Sequence, residues 1–244
     1  MQKHNPTNQP TNQPKTLLSI GTDAKTVKGE KRGVLTGILY LAPHTIASKR
    51  TVCPFATPQC RTACLYSAGR GGFNSVQTAR INRTLFWHSS PNAFLAQLEI
   101  EIAALVRRAE KLGMIPAVRL NGTSDIQWEK TGIMQKFQHV QFYDYTKFPP
   151  MMRRDLPTNY HLTYSYTGID QSAQWSTDWN TRGVNTAVVF RGGLPPTFLG
   201  RQVVDGDLSD LRFLDGKNVI VGLKAKGAAR KAISPFVVDA SACA

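Results

Sequence analysis

IPAVRLNGTSD, from Ile115 to Asp125, is the stretch on which the fold turns: a short apolar run rich in β-formers that ends in a cluster of polar residues. Its length and composition predict a buried strand with functional groups at its carboxyl end. The same form returns downstream in HVQFYDYTK (139–147), YHLTYSYTG (160–168), NTAVVFRGG (185–193) and NVIVGLKAKG (218–227), and upstream in GVLTGILYLAP (33–43). From Ile115 the starts lie 24, 21, 25 and 33 residues apart, which is about one βα unit each until the last interval. Six strands at this spacing predict an α/β fold: a parallel sheet, either open or curled into a partial (βα) barrel. A small separate β-rich portion is expected around Gly200 to Asp207.

Two helices stand out. Asn74 to Ser89 reads as a helix with Asn74 as its cap, and Pro91 to Leu112 as a longer one with Ser90 as cap, Pro91 in the first turn and Gly113 as stop. In the second, Phe94, Leu95, Leu98, Ile102, Leu105, Val106, Ala109 and Leu112 recur at three- and four-residue steps and form one core-facing stripe. The opening MQKHNPTNQPTNQPK repeats TNQP and holds no aliphatic residue after Met1, so residues 1–30 are read as a disordered or extended tail and residues 31–244 as a single domain.

Thirty Lys and Arg against sixteen Asp and Glu give a net charge of +14. Such an excess favours polyanionic partners, so nucleic acid or a nucleotide is the expected substrate class. No apolar run approaches the ~20 residues that cross a bilayer. No membrane partner and a cytoplasmic location are therefore expected.

In a parallel sheet the carboxyl ends of the strands face a common site. Those ends supply Arg119, Asn121, Ser124, Asp125, Asp144, Thr146, Lys147, Tyr164, Ser165, Thr167, Arg191, Lys224 and Lys226. Arg119, Asn121, Asp125, Asp144, Lys147 and Ser165 are the candidate catalytic residues; Tyr66, Thr167, Arg191 and Lys224 are the candidates for cofactor binding. Asn121, Ser124 and Asp125 also suit the cap of a following helix, and Arg119 a buried ion pair. Asp205, Asp207, Asp210 and Asp215 offer a cation site or, more simply, turns and a cap. The glycines of AGRGG suit a turn, and the four tryptophans suit core or groove lining.

CPFATPQCRTACLYSAGRGG (53–72) follows the first of the six strands and carries three of the four cysteines. In a reducing compartment clustered cysteines favour metal over disulfide. Three thiolates at Cys53, Cys60 and Cys64 suit a [4Fe–4S] cluster with one open iron, or a zinc site completed by water, His88 or Cys243. The two readings lead to different proteins: an iron–sulfur enzyme, or a non-enzymatic DNA- or RNA-binding protein with a structural zinc.

The position of this loop resembles the layout of radical S-adenosylmethionine enzymes, which implies a cluster whose open iron binds that cofactor. Cys60, Cys64 and Tyr66 fall in register with the usual loop of that class, but Ser67 stands at its last cysteine, so Cys53 must supply the third ligand from upstream. A closer resemblance runs through whole motifs: LYLAP (39–43), the cysteine loop, Ala79, Arg80, Arg83 and Thr84, RLNGTSDIQWE (119–129), FYDYTK (142–147), NYHLTYS (159–165), and DGDLSDLRFLD followed by VIVGLKAKG. Together they resemble the phage "gene product 88" family over roughly Leu35 to Val238. This implies a phage or prophage origin, a bacterial host cytoplasm, a cysteine-bearing loop and this order of strands.

Overall fold

A computed structural model describes residues 13–21 and 24–243. Their elements run β1 (Leu18–Ile20), α1 (Ala24–Glu30), β2 (Val34–Leu39), α2 (Pro58–Thr62), α3 (Asn74–Ser89), α4 (Pro91–Leu112), β3 (Ile115–Arg119), α5 (Ile133–Lys136), β4 (Gln141–Thr146), β5 (Tyr160–Ser165), α6 (Ser172–Thr181), β6 (Thr186–Arg191), β7 (Thr197–Phe198), β8 (Arg201–Asp205), β9 (Ile220–Lys224) and β10 (Val237–Asp239). The sheet follows the order β1-β2-β3-β4-β5-β6-β9-β8-β7, with β10 added against β6. The path is open: it starts at β1 and ends at β7. The six strands expected from sequence are β2, β3, β4, β5, β6 and β9, and each pairs in parallel with the next.

All six residues of β2 are buried, as expected for a parallel strand covered on both faces. One face packs on α4, whose stripe Phe94, Leu98, Ile102, Leu105, Val106 and Ala109 meets Leu35, Leu39, Val118, Leu120, Phe142 and Leu162 in the main core. Each of these side chains larger than Ala109 contributes about 1.5–3 kcal/mol when fully buried. The stripe ends at Leu112, which is exposed. Gly113 then takes the left-handed conformation that stops the helix, with φ 64°. Ser90 occupies the cap position without a side-chain hydrogen bond, and Asn74 is the first residue of α3, its cap being Phe73. The opposite face carries Val34, Ala117 and Tyr143, covered by Leu211 and Phe213 from the β8–β9 connection.

Three features differ from the sequence reading. Residues 1–12 lie outside the described residues, but Leu17 to Gly21 and Ala24 to Glu30, read as tail, are structured. β1 pairs antiparallel with β2, from Leu18 opposite Leu39 to Ile20 opposite Gly37. The backbone amides of Leu17 and Leu18 donate to the Glu101 carboxylate on α4 at 2.8–2.9 Å. The physical reason is that Leu17, Leu18 and Ile20 supply the apolar surface that the TNQP repeat lacks. The Gly200–Asp207 portion is not separate either, because β8 pairs in parallel with β9 from Val203 opposite Ile220.

The third difference is β10. β5 pairs with β6 only at Tyr164–Thr186 and Ser165–Ala187. β10 pairs with β6 further along, from Val237 opposite Val189 to Asp239 opposite Arg191. The amino half of one edge of β6 therefore belongs to β5 and the carboxyl half to β10, and the sheet splits there. Among the described residues no helix is long and apolar enough to cross a membrane.

A cysteine-lined cavity at the carboxyl ends of the strands

A cavity of about 460 Å³ opens where the parallel strands end. Cys53, Cys60 and Cys64 enter it from the loop after β2, Arg119 from the end of β3, Asn121 and Asp125 from the loop that follows it, Lys147 from just after β4, Ser165 from the end of β5 and Lys224 from the end of β9. Nine of the thirteen candidates are thus brought together. Tyr66, Asp144, Thr167 and Arg191 are not in its wall. Thr167 instead bonds Ser172 at the start of α6, and Arg191 pairs with Asp239 of β10 at 2.7 Å. Alternation along a strand and the twist of the following loop decide which strand-end residues turn inward, and composition does not show it.

The cysteine loop is pinned at several points. Thr57 Oγ1 accepts from the Cys60 amide at 3.1 Å and, with Pro58 in the first turn, starts the short helix that carries Cys60. The Asp125 amide donates to the Val52 carbonyl at 2.8 Å. At the far end the Arg80 guanidinium lies over the rings of Tyr40 and Tyr66, at 4.9 and 5.5 Å, and donates to the Tyr66 carbonyl. Tyr66 is therefore part of the loop's anchorage. Cys53 Sγ accepts from the His44 amide at 3.3 Å and reaches the Thr123 carbonyl at 3.7 Å. All four cysteines are free. Among the described residues no three His, Cys, Asp or Glu side chains are gathered as a ligand set.

Asn121 organises the loop after β3. Its Oδ1 accepts from Ser124 Oγ, the Ile126 amide and Trp128 Nε1, and its Nδ2 donates to the Ile126 carbonyl. Below it, Asp144 accepts from the Asn121 amide at 2.7 Å and from the Tyr160 hydroxyl at 3.1 Å. The capping reading of this loop does not hold: Ser124 is spent on Asn121, and Asp125 accepts from the Lys147 amide at 2.7 Å and pairs with Arg153 at 3.5 Å. Arg119 forms the buried ion pair expected of it, with Asp210 at 2.8 Å, its guanidinium over Tyr145.

Lys147 is the electrostatic centre. Its Nζ donates to Ser165 Oγ at 2.8 Å and faces the Phe236 ring at 5.4 Å. Burial acts to lower its pKa, but negative charge available at Cys60, Asp125, Cys53 and Cys64 outweighs this and holds the ammonium above its ordinary value. Conversely, burial pushes the Cys53 thiol up to about 12 and raises Cys64, with Lys147 opposing in both cases. Burial likewise lifts Asp125, and Asp144 to about 7.

Sequence reasoning missed His44 and Phe236, and it read Asp207 and Asp210 apart from this site; all four are in the wall. Asp210 meets Arg119 across 91 positions, and no local signal marks such a pair. The acidic run is not a cation site: Asp205 pairs with Lys224, Asp207 with Lys226, Asp210 with Arg119 and Asp215 with Arg212. Trp128 and Trp179 are fully buried, and Trp87 and Trp175 pack against the core.

These features define a mixed α/β protein with a cysteine-walled cavity at the carboxyl edge of a mostly parallel sheet. The chain belongs to the gene product 88 family, whose model matches residues 16–240. No curated protein and no solved structure matches it.

Proposed function

We propose that this protein is a phage-type iron–sulfur enzyme acting on nucleic acid or a nucleotide, built on a sheet curved as a partial (βα) barrel in the manner of radical S-adenosylmethionine enzymes. The observation that carries the reading is that three free thiols from one loop enter one cavity beside the half-buried Lys147 ammonium. Three thiols fit a cluster that leaves one iron open, and the loop must draw them together on loading. When bound, such a cluster supplies single electrons and an open iron for S-adenosylmethionine. Cys53, Cys60 and Cys64 would hold it; Lys147 offsets the charge of the thiolates, its backbone amide held by Asp125 and its ammonium by Ser165. Phe236 and the segment before β10 wall the cavity from water. Lys224 and Lys226, in the same wall, would have to exchange Asp205 and Asp207 for the oxygens of a phosphate-bearing substrate.

The test is anaerobic purification followed by iron and acid-labile sulfide analysis. About four of each per chain are expected, together with broad visible absorption that dithionite bleaches. Cys53→Ser, Cys60→Ser and Cys64→Ser should each lose the chromophore, and Cys243→Ser should keep it. A colourless protein carrying one zinc and no sulfide would overturn the proposal in favour of a structural zinc. Release of 5′-deoxyadenosine from S-adenosylmethionine under reduction tests the enzymatic half.

A further inference from the structure

A second cavity, of about 450 Å³, lies away from the cysteines, between the turn after β4 and the carboxyl end of α6. Arg153, Arg154 and Arg182 line it with Leu156, Trp179 and Val184. The three arginines differ in what they are spent on. Arg153 is buried and fully engaged: it donates to Glu129, to the Tyr160 hydroxyl and to Asp125. Arg154 and Arg182 are exposed, and each is tethered to a backbone carbonyl of one turn. Arg154 Nε donates to Met151 O at 3.2 Å and Arg182 Nη1 to Pro150 O at 2.8 Å. Arg182 also lies over the Trp179 ring at 5.8 Å.

Among the described residues neither Arg154 nor Arg182 makes an ion pair. A guanidinium has five N–H donors, so each keeps most of its fork for a ligand. Two oriented forks over one notch match the oxygens of a phosphate. Met151 and Met152, half exposed on the same turn, add apolar surface for a sugar or base. Arg153 is the partition between this notch and the cysteine cavity, since it touches Asp125 in the cavity wall.

We infer that the Arg154–Arg182 notch anchors a backbone phosphate of a nucleic-acid strand beside the cysteine cavity. This rests on the nucleic-acid part of the proposed function and not on the metal. The test is binding of a labelled single-stranded oligonucleotide to the full chain across a salt series, compared among wild type, R154A/R182A and R107A/R108A. The last variant removes two exposed arginines from α4 and serves as the charge-matched control. Loss of two phosphate contacts should lower the slope of log K against log salt by about 1.4 in R154A/R182A, with affinity reduced tenfold or more and the circular dichroism unchanged. The α4 variant should keep nearly the wild-type slope. Equal losses in both variants would overturn the inference by assigning binding to net charge, and so would absence of binding by the wild type at low salt. A mononucleotide that displaces the strand at equal concentration would also overturn it, because the notch would then serve a small phosphate compound. Binding is read without turnover, so failure here is separable from failure of the metal analysis.

Discussion

Arg153 holds two carboxylates that have little other recourse. Its guanidinium is buried, and its partners Asp125 and Glu129 are themselves only 10% and 6% exposed at the side chain. Arg153→Ala would strand both charges, and breaking a buried pair by removing one partner costs about 3–5 kcal/mol. The expected result is a marked fall in the urea midpoint with the slope unchanged. Asp144 gives a pH-dependent counterpart. Burial keeps it protonated up to about 7 in the folded chain, whereas an unfolded Asp titrates near ~3.9. Between those values the native state binds a proton that the unfolded state has released, so this group's contribution to stability falls as pH rises from ~4 to ~7. Asp144→Asn cannot titrate. Its urea midpoint should therefore decline less steeply than the wild type's over that window, and parallel profiles would show that Asp144 is ionised in the native protein.

At the scale of elements, the segment that brings in β10 depends on one glycine. Gly168, between β5 and α6, has φ +74°, and a Cβ there would sit 1.9 Å from the Pro235 carbonyl oxygen. Gly168→Ala should cost about 1–3 kcal/mol from the backbone conformation alone, and the collision should free residues 232–243. Limited proteolysis would detect this as early cleavage before Val237, with the main core intact. This strand also marks the limit of what the sequence makes legible. Strands β2 to β6 and β9 each bury a long enough apolar run to be seen, and α4 declares itself by its stripe and its Pro and Gly ends. β1, β7 and β10 have two or three residues, too few for any periodicity. Their existence depends on an edge that only the assembled sheet offers: β1 on β2, and β10 on the half of β6 that β5 leaves free.

For the whole molecule, parallel order made the general site legible, because strands running one way deliver their polar ends to one rim. It did not reveal Asp144 beneath Asn121, or Arg191 turned toward Asp239, since those depend on which face each residue presents. The split in the sheet has a consequence for how the protein matures. Phe236 and Val237 pack with Ala63 and Ala229, with Cys60 alongside, so a segment made long after the cysteines lies against the loop that carries them. During synthesis the cysteines emerge first and wait, with the sheet from β2 to β6 already able to form. A chain halted before Pro235 should therefore show Cys60 and Cys64 alkylated faster by a thiol reagent than the 244-residue chain does, while Cys53, held by His44 and Thr123, should differ little. Biosynthesis thus leaves the cavity a doorway that stays open until the segment around β10 is made and docks.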